Sequence, residues 1–573
     1  MKLQEITLAS TEYSRLYYRG GEFSDGAIVL NGGETVSFNT YFNCFSYTKY
    51  LKYTSVKDVT FSCQIEGEAR AVLCVFDGKA ETVICSATAK DGILSMRADI
   101  TALPPRAILY PVITAITDLR VTNGYYSCEN AEAGKIDCAI AICTFKREES
   151  TLNNLKILSG ADFSFVNKIY VIDNGQTISA DEHSTDFISI LPNKNFGGSG
   201  GFTRGIIEAH RGGHSHVILM DDDVVIFPEA IERITAFISL LKSEYKNTHF
   251  SAAMLPLSKL HIQYEMGARW NGHRIQSFKP NVDVCNPVEL VNNLDEDEIE
   301  YGAWWCFCLP LSDVDTFGLP LPLFIKFDDV EYGMRCCKNA PIVTMNGVCV
   351  AHEDFDRKYS MALDYYALRN QLITLACHKR QTRVGCISRL WKCTVRQTFL
   401  YRYDALRLQY DAINDFLQGA DFLINTNAED LNKHIMSTAP KAVDLGSLAE
   451  WTQDMRDNYT PKKIGLFSIL IHMLTLGGHL IPSCFLKKKP HAFPLPDANP
   501  FSCYLNKTTI QYQLGSDQGY LYKRSVKRFF KCFFKIIGMS FKILFTYGKA
   551  KKSFLKNKEF LTSYKFWKKH LEI

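Results

Sequence analysis

The sequence predicts an α/β fold in three parts. These are an N-terminal β-sandwich over residues 1–134, an α/β domain with a mainly parallel sheet over residues 135–375, and a helical region over residues 376–573. Three observations predict it. Short apolar runs broken by Gly and Asn turn signals fill the first part. Strand-like and helix-like runs alternate in the second. The third reads as helix and ends in a basic, aromatic tail.

A chain of 573 residues exceeds what one hydrophobic core organises, which argues for several units. Apolar residues make up 46% and charged residues 22%, ordinary for globular protein and too apolar for a disordered chain. The 19 cysteines are odd in number, scattered, and set inside apolar runs such as AIAICTF and WWCFCLP. That usage fits reduced, buried thiols, and no paired CxxC spacing suggests structural zinc. The first residues, MKLQEITLAS, lack the basic and apolar regions of a secretory signal. A cytoplasmic location is expected.

In the first part, VTFSCQI and ARAVLCVF read as strands, with turn signals at Gly20-Gly21, Gly32-Gly33 and Asn123-Gly124. The aromatic run FNTYFNCF, Phe38 to Phe45, suits either the sandwich core or a sugar-facing surface. The pattern changes at Lys135. Ile136–Cys143 is a buried strand, followed by a charged turn and the helical LNNLKILSG. The strand KIYVIDNG, the Gly-rich NFGGSGGFTRGIIEAH and the strand HVILMDDDVVI follow. Open parallel sheets bind ligands beyond the carboxyl ends of their strands, where Thr144, Asp173 and Asp221 fall.

The stretch from Ile464 to Leu486 contains no Asp, Glu, Lys or Arg and is long enough to cross a bilayer. His472, Gly477, Gly478, His479, Pro482 and Ser483 interrupt it, so a buried or interfacial helix pair is expected instead. Leu521 to Ile573 carries a net charge of +13, against −9 for the rest of the chain. Its alternation of Lys and Arg with Phe, Ile and Leu, as in VKRFFKCFFKIIGMSFKILF, suits an anionic membrane surface. No recognised nucleic-acid module accompanies it, so no nucleic-acid partner is expected.

Five features carry chemistry. Asp221-Asp222-Asp223 follows the apolar run VILM; in an extended segment Asp221 and Asp223 face one point and Asp222 turns aside. Carboxylate oxygens there suit a hard divalent cation shared with substrate phosphates. Phe327-Asp328-Asp329-Val330-Glu331 offers a carboxylate base, and Asp328 with Glu331 also resembles a helix capping box. Trp304-Trp305 can stack on a sugar, although a strand would turn one of them into the core. Asn195 to Gly201 is a Gly-rich turn that lets backbone approach a ligand, but it matches neither a Walker loop nor a dinucleotide fingerprint. His352, after the strand NGVCVAH, can complete a metal shell.

At these residues the sequence resembles the galactofuranosyltransferases of glycosyltransferase family 2. The matching segments are FNTYFN, CTFKRE, VIDNG, NFGGSGGFTRG, DDDV, WW, GLPLPLFIKFDDVEYG and the HE–YYALRN stretch. The resemblance implies a GT-A-type catalytic domain, a UDP-galactofuranose donor, inverting transfer, and Mn²⁺ or Mg²⁺. It implies that Asp221, Asp223 and His352 hold the metal and that Asp329 is the base, assisted by Asp328. Arg147, Asp173, Asn195 and Asp222 would bind the nucleotide-sugar. Glu265, Tyr301, Trp304 and Trp305 would shape the sugar and acceptor sites. The expected acceptor is a growing, lipid-linked glycan of the cell wall at the inner face of the membrane. A rhamnosyl or other nucleotide-sugar donor, and a non-catalytic glycan-binding protein, are the alternatives; homo-oligomer formation stays open.

Overall fold

A computed structural model describes residues 1–9, 13–354, 360–461 and 465–573, apart from the side chain of Asn339. The chain forms two compact units. One comprises residues 1–320, 329–353 and 571–573; the other comprises 321–328 and 354–570.

The first unit opens with an eight-stranded sheet. Its spine is β1 (Asp58–Phe76), which pairs antiparallel with β2 (Glu81–Asp99), β3 (Ile108–Ala115) and β4 (Leu119–Ser127). The aromatic run at Phe38–Phe45 is not a strand. Phe38, Tyr41, Phe42 and Phe45 are buried, and Phe45 stacks on Tyr50 and Tyr126, so the run belongs to the core. This follows from area, since each buried aromatic removes well over 100 Å² from water.

A seven-stranded mixed sheet follows. It contains β5 (Cys138–Thr144), β6 (Val166–Asp173), β7 (Ile188–Pro192), β8 (His216–Asp221), β10 (His249–Ser251), β12 (Cys306–Pro310) and β13 (Ile342–Val343). The order is β7-β6-β5-β8-β12-β10-β13. The first four are parallel, as the alternating pattern predicts; β12 runs antiparallel to β8 and β10. Helices α1 (Glu148–Ser159), α2 (Gly197–Arg211) and α3 (Pro228–Ser239) connect or follow these strands.

A second, small sheet decides the site. It is β9-β14-β11, where β9 is Val224–Val225, β11 is Ala253–Pro256 and β14 is Cys349–His352. The helix α4 (Asp328–Cys336) begins where the chain returns to this unit.

The second unit is largely helical, with α5 (Ala362–Cys377), α6 (Arg383–Phe399), α7 (Ala405–Leu417), α8 (Leu466–Leu474) and the 36-residue α9 (Val526–Leu561). It also holds a four-stranded sheet built from Val443–Asp444, His491–Pro494, Thr508–Tyr512 and Gln518–Lys523, which the sequence pattern does not announce. Among the described residues, the uncharged stretch from Ile464 forms one short helix and not the expected buried or interfacial helix pair. Ile464 itself lies outside the described residues; beyond it, one short helix exposes Leu466 by 87% and Phe467 by 75% before the chain turns at Thr475–Ile481. Glycines at 477 and 478 take positive φ there and end the helix. Among the described residues, no helix is long and apolar enough to cross a membrane.

Candidate active site

The acidic triplet forms at the end of β8, but not as an extended segment. Asp221 ends the strand, and Asp222 and Asp223 make a turn before β9. The alternation expected of a strand therefore fails, and Asp222 and Asp223 both meet Arg147. The guanidinium reaches Asp222 Oδ1 at 3.2 Å and also forms an ion pair with Asp223 Oδ2. Burial opposes the Arg147 charge, yet Asp222 and Asp223 outweigh it and hold its pKa above the ordinary value. Burial pushes Asp222 up, against the pull of Arg147 and the Thr144 hydroxyl.

The turn is held by a residue the sequence does not single out. Asn154, buried on α1, donates from Nδ2 to the carbonyls of Asp222 (3.2 Å) and Val224 (3.0 Å). It grips the backbone on both sides of Asp223. A polar side chain inside an amphipathic helix has no spacing signature, so no sequence pattern points to it.

Val224 lies in register with His352, and His352 with Pro256. His352 Nδ1 is 2.5 Å from the Glu353 carbonyl, and Nε2 is 3.3 Å from Asp223 Oδ1. Burial opposes protonation, but Asp223 overrides it and raises the His352 pKa. With Nδ1–H committed to the carbonyl, Nε2 is the atom turned toward the carboxylate. Two donor atoms about 3 Å apart suit adjacent positions around an octahedral ion with bonds of about 2.1 Å. The donor chemistry of Asp221, Asp223 and His352 thus fits a hard divalent cation. Among the described residues, no three acidic, His or Cys side chains already converge as a metal shell.

Two residues back along β11, Met254 bridges to Glu265. Glu265 is buried and accepts from the Ser277 hydroxyl at 2.5 Å. Burial pushes its pKa up to about 7; Ser277 works against this and Asp329 adds to it. Tyr301, buried beside them, is raised by burial and then by Asp329 and Glu265. Gly333 explains the closeness of α4. A Cβ there would lie 2.3 Å from Tyr301 Cβ, and Gly333 is one turn after Asp329 on the same helix face. The opposite side of α4 is anchored by Arg335, which pairs with Glu331 (2.9 Å) and donates to the carbonyls of Phe317 and Leu319. Glu331 is thus part of a buried ion pair. Asp329 Oδ1 accepts from the Val330 N–H, and Asp328 is the first residue of the helix.

The Trp pair lies in a turn before β12, not in a strand, and both rings are buried. Trp305 donates to the Ala252 carbonyl at 3.1 Å. Trp304 packs edge-on against Phe202 and Tyr332, and its indole Nε1 is buried with no hydrogen-bond partner among the described residues. Asp173 is fully buried at the end of β6, and its carboxylate accepts from the N–H groups of Gly175, Thr177 and Ile178. Asn195 accepts from the Gly197 N–H at the start of α2. The glycines expected in a ligand-cradling turn lie within α2 instead. A Cβ on Gly201 would sit 2.2 Å from Cys143 Sγ, and one on Gly205 2.6 Å from Ala141 Cβ, so they let the helix pack on β5.

Comparison with known proteins finds similarity to galactofuranosyltransferases. A family described as Galactofuranosyltransferase 2 N-terminal matches residues 17–128. The galactofuranosyltransferase GlfT2 of Mycobacterium tuberculosis is 27% identical over 479 residues, which is 76% of this chain and 74% of that protein. GlfT2 of Mycolicibacterium smegmatis is 28% identical over 447 residues, 72% and 68% of the two chains. Among solved structures, a mannosyltransferase of Pyrobaculum calidifontis in complex with GDP-Man and Mn²⁺ aligns over 54% of this chain and 83% of that one, at 10% identity and a TM-score of 0.30. The resemblance to the galactofuranosyltransferases is borne out.

Proposed function

We propose that this chain, a glycosyltransferase, transfers galactofuranose from UDP-galactofuranose, with inversion, to a hydroxyl of a growing lipid-linked glycan. One observation carries the reading. The acidic turn and Glu265 belong to one continuous set of rungs, running from Val224 through His352 and β11 to Glu265, and Tyr301 and Asp329 lie close enough to Glu265 to interact electrostatically with it. Two strand spacings and a two-residue offset separate the Cα atoms of His352 and Glu265 by roughly 12 Å. A diphosphate and one sugar ring fit such a span.

In this reading Arg147 and Asn195 contact the nucleotide-sugar. Asp173 acts from behind, by shaping the loop after β6, and Asp222 holds Arg147 in place. Asp221, Asp223 and His352 would hold Mn²⁺ or Mg²⁺, which offsets negative charge on the departing diphosphate. The acceptor hydroxyl gives its proton to Asp329 as its oxygen bonds to the anomeric carbon. The bond from that carbon to the diphosphate oxygen breaks, and UDP leaves. Glu265 and Tyr301 orient the sugar, Trp304 offers its indole N–H, and Asp328 starts the helix that presents the base. Residues 1–134 form the sandwich, 135–375 the GT-A domain and 376–573 the helical region that docks at the inner face of the membrane. Support for docking comes from α9, which exposes Phe534 (67%), Phe541 (58%) and Phe545 (77%) among Lys531, Lys535 and Lys542.

The test is purified protein with a panel of UDP- and dTDP-sugars, a synthetic galactofuranosyl acceptor and Mn²⁺. UDP release and product linkage are scored. Release with UDP-galactofuranose and a new furanosyl linkage is expected; turnover only with a rhamnosyl donor would replace the donor assignment.

A further inference from the structure

Immediately before Asp328 and Asp329, three non-glycine residues take the left-handed conformation: Phe324 (φ +74°), Lys326 (φ +67°) and Phe327 (φ +68°). Side chains there are disfavoured, and a run of them persists only where other contacts over-determine the backbone. The contacts come from two adjacent, buried residues of α5. Asn370 Nδ2 donates to the carbonyls of Leu323 (2.9 Å), Ile325 (2.8 Å) and Lys326 (2.8 Å). Arg369 Nη2 donates to the Leu323 carbonyl at 2.8 Å, and Arg369 Nε donates to Asn370 Oδ1 at 2.9 Å. That last bond fixes which end of the carboxamide faces the loop. The Arg369 guanidinium is sandwiched by Tyr365, Tyr366 and Phe422, and Phe324 stacks on Tyr366.

We infer that Asn370 is a positioning residue for the proposed base: it clamps the strained 323–327 backbone, from which the chain passes within two residues to Asp329. The inference rests on the reading of Asp329 given above. Arg369 in turn orients Asn370. Neither side chain needs to touch substrate, because the helix starts where the clamped segment ends.

The substitution Asn370→Asp is near-isosteric. It keeps an acceptor for Arg369 and sets carboxylate oxygen against three carbonyls. It should lower kcat at least tenfold and leave the Kd for UDP and the KM for donor within twofold. Lys326→Gly frees the backbone at φ +67° from its side-chain penalty, so the double variant should recover at least a third of the lost kcat. Asn370→Ser, which keeps one short donor, should fall between, and serves as the test if the Asp variant does not fold. Wild-type kcat in both Asn370 variants, or a fall in kcat matched by loss of UDP binding and not relieved by Lys326→Gly, overturns the inference. Asp329→Asn in the same assay separates the two readings. If it is inactive while the Asn370 variants run at the wild-type rate, only the clamp is wrong; if it is active, the base assignment has failed.

Discussion

Asp329 and Glu265 are two carboxyl groups in one buried neighbourhood, and their surroundings divide their work. Asp329 lies in the first turn of α4 and accepts from the Val330 N–H. Among the described residues, the Ser277 hydroxyl is the group that stabilises the Glu265 charge, and burial pushes its pKa up to about 7. Asp329→Asn is expected to reduce kcat by about 10²–10⁴-fold with UDP affinity retained, measured by UDP release and calorimetry. For Glu265 the linkage sign is fixed by the raised pKa. The folded chain binds the proton more tightly than the unfolded one, so stability is lost as pH rises from about 4.5 through 7. The loss amounts to about 3 kcal/mol above pH 8. Glu265→Gln should therefore melt at a higher temperature than wild type at pH 8.5 and show little difference at pH 4.5; calorimetric scans at both values decide it.

At the scale of elements, the acidic turn depends on α1 as much as on β8. Asn154 donates to two carbonyls of the buried turn. Asn154→Ala is expected to destabilise the chain by about 1–3 kcal/mol. It should also raise the Mn²⁺ concentration needed for half-maximal rate several-fold, read from titrations at saturating donor. The parallel strands β5 to β8 and the end of β8 were legible because a buried strand writes a continuous apolar run and its polar end marks the sheet edge. The Trp turn was not, since nothing in YGAWW separates a turn from a strand. The glycines of α2 were ambiguous because close packing and ligand approach both call for a missing Cβ. The C-terminal sheet escaped notice because its strands are two to six residues long and lack alternation. Asn154 and Asn370 matter only through backbone carbonyls brought close by folding, and carbonyls carry no letter in a sequence.

Across the whole molecule, charge is unevenly distributed. The last 53 residues carry a net of +13 and the remainder −9. The α9 helix buries Phe529, Ile536, Ile543, Tyr547 and Phe554 and presents the other face outward. Co-sedimentation with vesicles rich in anionic lipid is expected, falling steeply between 50 and 500 mM salt as charges are screened. Phe541→Asp combined with Phe545→Asp should abolish it while leaving UDP release on a short soluble acceptor unchanged. Salt-insensitive binding, or binding retained by that variant, would assign the membrane contact to another surface.

The three strands of the small sheet are only two to four residues long, and one rung holds Val224, His352 and Pro256. A strand so short cannot absorb a length change within itself. Deleting or inserting a single residue between Cys349 and His352 would turn the imidazole to the other side of the sheet. Natural variation in donor or acceptor choice must therefore arise here by exchanging side chains, with changes in length confined to the loops outside these rungs.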